Sequence, residues 1–238
     1  MKKLLLLGVS FVFISTQMLD AKTERYEVES GIVHYTISGG GNIMGMRHES
    51  HGKKTLYFDE YGNVEVQEVE ETSSAMGRTD RAHQLTKIED NMIYSVDFER
   101  KIITKQDISA LMQGKNMSKM GKAMLKEMGG KKTGHDKVLG YDCEVWEVMG
   151  SRIWLYKGVP LKTVSNIMGM SHKEEATEAK FGVSIPSDKL KLPDYPTQTA
   201  EEMIQREMGQ PDESGEGLNP EEIKQMQEMM KGMFGGKK

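Results

Sequence analysis

Two stretches of this chain carry nearly the same residues in the same order. Asn42-Ile43-Met44-Gly45-Met46-Arg47-His48 and Asn166-Ile167-Met168-Gly169-Met170-Ser171-His172 agree at six of seven positions. Thioether sulfur is a soft ligand that selects Cu(I), and imidazole suits copper as well. On extended backbone Met44, Met46 and His48 share one face, as do Met168, Met170 and His172. If the two segments pair, they offer a ligand set for Cu(I) or Ag(I), with His51 close by. The other reading is plainer. In a chain with 20 methionines among 238 residues the Met-x-Met pattern arises cheaply. These methionines would then be core packing, with His48 and His51 on an exposed turn. Two such heptads are too short and too far apart to be a solenoid repeat.

A second stretch is basic and lined with methionine. Asn116 can cap a helix that stops at Gly129-Gly130. Within it Met117, Met120, Met124 and Met128 recur at helical spacing, and Lys115, Lys119, Lys122 and Lys126 fall on the opposite face. Asp107 can open an earlier turn through Ile108, Leu111 and Met112, so a helical lid is expected over about residues 107–129. Its methionines either complete a core or, together with Trp146, wall an unfilled apolar pocket. In the second case the lysines meet a membrane surface or a partner.

Catalytic spacing is missing. The chain has no His-Glu-x-x-His, no Gly-x-Ser-x-Gly, no Gly-x-x-x-x-Gly-Lys followed by Ser or Thr, and no Cys-x-x-Cys. No enzyme and no cofactor is expected. Gly39-Gly40-Gly41 links two strands without opening a helix and reads as a flexible turn. Cys143, the single cysteine, sits in the run Asp142-Cys143-Glu144-Val145-Trp146 and is expected to be a buried small hydrophobe. A net charge of −4 is too mild for nucleic acid as the main partner.

These residues must be positioned by short alternating runs separated by turns. Gly31 to Ile37, Thr55 to Phe58, Val64 to Gln67, His83 to Ile88, Met92 to Phe98, Glu144 to Met149, Arg152 to Tyr156, Leu161 to Met168 and Lys173 to Phe181 all read as strands. Asp59-Glu60-Tyr61-Gly62 and Glu89-Asp90-Asn91 read as turns. The expected fold class is α+β, a curved antiparallel sheet of about 10–11 strands forming an open half-barrel covered by amphipathic helices. With 6 Phe and 2 Trp against 20 Met, its core should be compliant.

The ends set the context. Lys2 and Lys3 precede the apolar run Leu4 to Ile14, and Ala21 is a small residue before Lys22. That order is a secretory signal peptide over residues 1–21, and the run is shorter than the ~20 residues a membrane span needs. A soluble periplasmic protein is expected, with a half-barrel domain over 22–198 and a methionine-rich tail over 199–238. In the tail, Thr199-Ala200-Glu201-Glu202 is a capping box. Asn219-Pro220-Glu221-Glu222 starts a helix with the stripe Ile223, Met226, Met230 and Met233.

Several runs resemble a known group. Gly52-Lys53-Lys54-Thr55-Leu56-Tyr57-Phe58-Asp59-Glu60-Tyr61-Gly62 is similar to a segment of uncharacterised exported bacterial proteins. Lys137-Val138-Leu139-Gly140-Tyr141-Asp142-Cys143-Glu144-Val145-Trp146, followed by Ile153 to Lys162, resembles a pattern in those proteins and in LolA-like periplasmic lipoprotein carriers. The resemblance spans roughly residues 24–196 and omits the tail. It implies an open half-barrel with a helical lid over a hydrophobic cavity and, for true carriers, lipoprotein acyl chains as cargo. No carrier-specific binding motif is matched, so no ligand residue is carried over. The expected function is a non-catalytic periplasmic carrier for a lipid, acyl chain or other apolar ligand. Its alternatives are a Cu(I)/Ag(I)-binding protein and an envelope interaction protein whose tail helix docks onto a partner.

Overall fold

The structure, a computed structural model, describes residues 24–43, 46–75, 77–109, 121–167 and 169–203. The expected leader, Met44, Met168, the lid's first half with Met117 and Met120, and the tail beyond Met203 lie outside the described residues.

Among the described residues, twelve strands form one sheet: β1 (Gly31–Ile43), β2 (Met46–Asp59), β3 (Val64–Ala75), β4 (Arg78–Glu89), β5 (Met92–Asp97), β6 (Ile102–Asp107), β7 (Lys131–Val138), β8 (Tyr141–Val148), β9 (Ser151–Tyr156), β10 (Val159–Ile167), β11 (Met170–Phe181) and β12 (Thr197–Thr199). The spatial order is β12-β6-β5-β4-β3-β2-β1-β11-β10-β9-β8-β7. Two meanders, β1–β6 and β7–β11, are thus joined where β11 pairs antiparallel with β1. The short β12 runs parallel to its neighbour, β6.

Local chemistry explains the meander. Leu139-Gly140, Met149-Gly150 and Lys157-Gly158 all have positive φ at both positions. They are two-residue type I′ hairpins, whose twist matches that of the strands they join. Register shifts near Tyr35, Leu161 and Thr133 mark bulges, which bend a sheet. The edge strand β7 is exposed from Lys131 to Lys137, and its charges and bulge blunt pairing with another chain.

The core gathers Val33, Tyr35, Leu56, Phe58, Cys143 and Leu161 around Tyr26, which arrives from the segment before β1. Tyr26 meets Phe58 edge-on at 4.7 Å. Tyr141, Tyr156 and Phe181 form a second ring cluster with centroids 4.6–5.2 Å apart. Close approach depends on missing side chains: a Cβ on Gly31 would come within 2.6 Å of the Phe58 ring. Cys143 is fully buried, as expected. The thioether-rich core is overturned: among the described residues, no methionine is buried in it. Rings that span a bent sheet do this work with few residues.

The helical cover is also corrected. The longest helix among the described residues, α1 (Gly121–Glu127), has no buried residue. Met124 is 38% and Met128 45% exposed. Its end matches expectation, with the Gly130 N–H donating to the Leu125 carbonyl at 2.7 Å and Gly129 at φ +80°. Asp107, expected to open the lid, instead ends β6 and accepts the Ser109 N–H at 2.8 Å. The fold is therefore mostly β, and part of the sheet is covered by extended chain. The Tyr26 N–H donates to the Tyr61 carbonyl at 3.0 Å, and the Glu27 N–H to that of Lys157 at 2.8 Å.

Gly39-Gly40-Gly41 is not a turn. It lies inside β1, paired with β2 on one side and β11 on the other. Glycine here permits contact, since a Cβ on Gly41 would stand 2.2 Å from the Gly169 carbonyl oxygen.

Candidate functional site

Strand alternation puts Val33, Tyr35, Leu56 and Phe58 on one face, called the inner face here. Continuing the register across the sheet, Glu65 and Gln67 of β3 share it, as do Thr86 of β4, Ser95 of β5 and Thr104 of β6.

Glu65 is fully buried. Its carboxylate accepts the Tyr26 hydroxyl and the Gln67 amide, each at 2.6 Å, and lies 3.3 Å from the Arg25 guanidinium. A buried charge is tolerated only with such partners. Burial pushes the phenols of Tyr26 and Tyr35 upward, which keeps both neutral donors, and the Tyr35 hydroxyl donates to the Pro160 carbonyl at 2.8 Å. This polar layer closes the aromatic core on the side toward β4.

Beyond it the inner face opens into a trough of about 1210 Å³ over β2–β6. Thr86, Ser95, Thr104 and Gln198 stand in register across β4, β5, β6 and β12, a rung of short neutral groups that donate and accept. The next rung is Gln84, Asp97 and Ile102. One wall is the helical turn Ala200–Met203. It is held by the expected capping box: the Thr199 N–H donates to Glu202 at 2.7 Å and the Glu202 N–H to the Thr199 hydroxyl at 3.1 Å. Met203 Sδ lies 3.7 Å from Thr104 Oγ1. The Gln198 Nε2 donates to Thr104 Oγ1 at 3.3 Å, while its Oε1 is buried without a partner. Lys53, Glu71, Arg81, Asp97, Glu99 and Arg100 border the same space, so its lining is mixed in sign, and Arg100 Nε lies 3.8 Å from Asp97 Oδ2.

Of the expected cavity wall, Trp146 is buried, and its indole N–H donates to Glu144 at 3.1 Å. Glu144 also receives Lys122 of α1 and Lys132, each at 3.0 Å, and Lys122 reaches Glu27 at 2.8 Å. Burial pushes the Glu144 carboxyl up, but hydrogen bonds from Lys132, Lys122 and Trp146 outweigh it and hold it down at about 2. Lys122 thus ties α1 to the sheet. Met124, Met128 and Trp146 do not line the trough. Of the alternative metal set, His48 of β2 and Met170 and His172 of β11 fall on one face of the two strands that flank β1. Met46 opens β2, but its side chain lies outside the described residues. Among the described residues, no three His, Cys, Asp or Glu side chains cluster to hold a metal. The sequence does not announce the trough: Thr86 and Ser95 fall in expected strands as polar positions, and the strand that holds Thr104 is not among those expected.

No protein-family model matches the chain, and no curated protein matches it. Solved structures similar to it include an uncharacterized conserved protein from Thermus thermophilus, with 10% identity and a TM-score of 0.40 over 70% of this chain and 90% of that one. A DUF1329 family protein from Desulfovibrio piger has 11% identity and a TM-score of 0.32 over 69% and 90% of the two chains. A domain described as an outer membrane lipoprotein-sorting protein, from Vibrio parahaemolyticus, has 14% identity and a TM-score of 0.25 over 70% and 92%. The structures this chain is similar to thus include a DUF1329 family protein and a lipoprotein-sorting domain.

Proposed function

We propose that the protein is a non-catalytic binding or carrier protein of the bacterial envelope, holding an amphiphilic, lipid-like guest in the trough over β2–β6. The observation that carries this reading is the lining. A rung of neutral donors and acceptors, Thr86, Ser95 and Thr104, lies beside Ile102, Ala200 and Met203 in an open space of about 1210 Å³. Such a surface hydrogen-bonds a head group and packs against a chain. The aromatic core offers no such room, because Tyr26 already fills it against Phe58. The guest therefore lies on the sheet instead of beneath the methionine helix, and lipoprotein acyl chains belong to its class. The envelope setting rests on the leader pattern from Lys2 to Ala21.

Native mass spectrometry of the full chain, purified without detergent, tests this. The expected result is a bound lipid mass that disappears in Ser95→Trp and Thr104→Trp and persists in Met124→Ala. An apo mass from protein whose preparation yields no extractable lipid overturns it.

A further inference from the structure

We propose a second site, independent of the trough: a soft-metal site for Cu(I) or Ag(I) formed by Met170, His172 and His48 over the glycine stretch of β1. The register makes the case. β1 runs between β2 and β11, so His48, Gly41 and Met170 form one row and Ser50, Gly39 and His172 the next. By alternation both rows lie on the inner face. Side chains two strands apart are separated by ~10 Å of backbone and do not usually meet, because the central strand's side chain fills the gap. Here that strand is bare. Met170 Sδ lies 2.9 Å from where a Cβ on Gly41 would stand. His172 Nδ1 lies 3.8 Å from where a Cβ on Gly39 would stand. A thioether and an imidazole thus stand over a strand without side chains, Ser50 Oγ of β2 reaching within 2.7 Å of that Gly39 position, and β2 presents His48 in the row with Met170.

The surroundings of His172 add a separate observation. Its Nε2 faces Glu174 Oε1 at 3.4 Å, and Glu174 is itself paired with Lys54. A carboxylate on one ring nitrogen fixes the imidazole and leaves the other nitrogen for a metal, the arrangement that ligating histidines usually have. Glu174 is a positioning residue in this account. One sulfur and two imidazoles, with no carboxylate or thiolate among the donors, select Cu(I) and Ag(I) over hard cations. The packing alternative fits less well. Met170 is only half-buried, and the His172 side chain is 41% exposed.

Ag(I), which needs no reductant, is the first probe, followed by Cu(I) competed anaerobically against a chromophoric chelator. Methyl-labelled methionine spectra of the full chain should show the Met170 methyl shifting at the first equivalent of Ag(I). Met170→Leu and His172→Gln should each weaken Cu(I) binding at least ~10-fold, and Glu174→Gln by ~10–100-fold without changing the number of bound ions. A first equivalent that moves other methionine methyls and leaves Met170 in place overturns the site. So does unchanged affinity in the Met170→Leu, His172→Gln double variant. The methyl spectrum of the unmodified chain decides the matter even if that variant fails to fold. Loss of metal binding leaves the lipid mass of the trough unaffected, so the two proposals fail separately.

Discussion

The two flanks of the inner face are built from the same alternation and used in opposite ways. Toward Gly31, β1, β2 and β11 turn Val33, Leu56, Phe58 and Phe181 inward, and the chain's own Tyr26 is laid onto them. Across β4–β6 the inward positions include the rung Thr86, Ser95 and Thr104, and a trough stands over it. Packing density is what separates them. A face of rings excludes water only when something fills the remaining gap, whereas a rung of hydroxyls is stable in contact with water and leaves room for a guest. Between the two, Glu65 and its donors form a polar boundary.

The contrast breaks most visibly at Tyr26. Tyr26→Ala removes a ring from a filled core and one donor from a buried carboxylate, a loss of about 3–5 kcal/mol. Urea unfolding measures it, with Ser95→Ala expected within about 0.5 kcal/mol of the unmodified protein. Equal effects at the two positions would mean that the flanks do not differ in packing. Tyr26→Phe sharpens the point, since it keeps the ring and leaves Glu65 short of a donor, at about 1–3 kcal/mol.

Two glycines separate a crowded strand from an open one. In Gly41→Ala the new methyl would meet the Gly169 carbonyl oxygen at 2.2 Å and the Met170 Cα at 2.9 Å. The strands must shift, at a cost of about 1–3 kcal/mol. Gly134 on the edge strand β7 has nothing within 4 Å of the same position. Gly134→Ala should be neutral or stabilising by about 0.5 kcal/mol, because it restricts the unfolded chain. Thermal melts of the pair test this, and a neutral Gly41→Ala would restore the view of that stretch as a loose turn.

Particular residues show where the fold is legible in the sequence. Strands with alternating packed positions, such as β8 with Cys143 and Val145 buried on one face beside Asp142 and Glu144 on the other, carry a period of two and read as strands from sequence alone. β7 escapes that reading because Lys131 to Lys137 are exposed throughout, so no period exists to find. β6 escapes it because Asp107, its last residue, looks like a helix cap. Ile37 looks like the end of β1 because the glycines after it carry no side chain to alternate. Glu65 looks like a solvated residue between two valines, and its burial depends on Tyr26, a partner 39 positions away. The trough is invisible for a related reason. Sequence periodicity distinguishes packed from unpacked faces, and a binding face is unpacked until its guest arrives. The metal heptads are legible as chemistry, but their meeting across β1 needs the register.

The smallest expected effect concerns α1, the helix tied to the packed flank. Lys122 joins α1 to Glu144 and Glu27, while Met124 and Met128 stay exposed. The Glu144 carboxyl sits at about 2 in the folded protein against an ordinary value of 4.5. A carboxyl depressed by folding stabilises the protein above its unfolded value. That contribution is complete above pH 4.5, declines as pH falls and is gone near pH 2. Glu144 is partly solvated, so the contribution should be only about 1 kcal/mol. Glu144→Gln should therefore lower the urea midpoint at pH 7 and match the unmodified protein as pH approaches 2. A gap that persists unchanged across that window would mean that the Gln side chain disturbs the Trp146 packing itself. Charge would then not be what holds the helix, and the exposed methionines of α1 would need another reason to stay near the sheet.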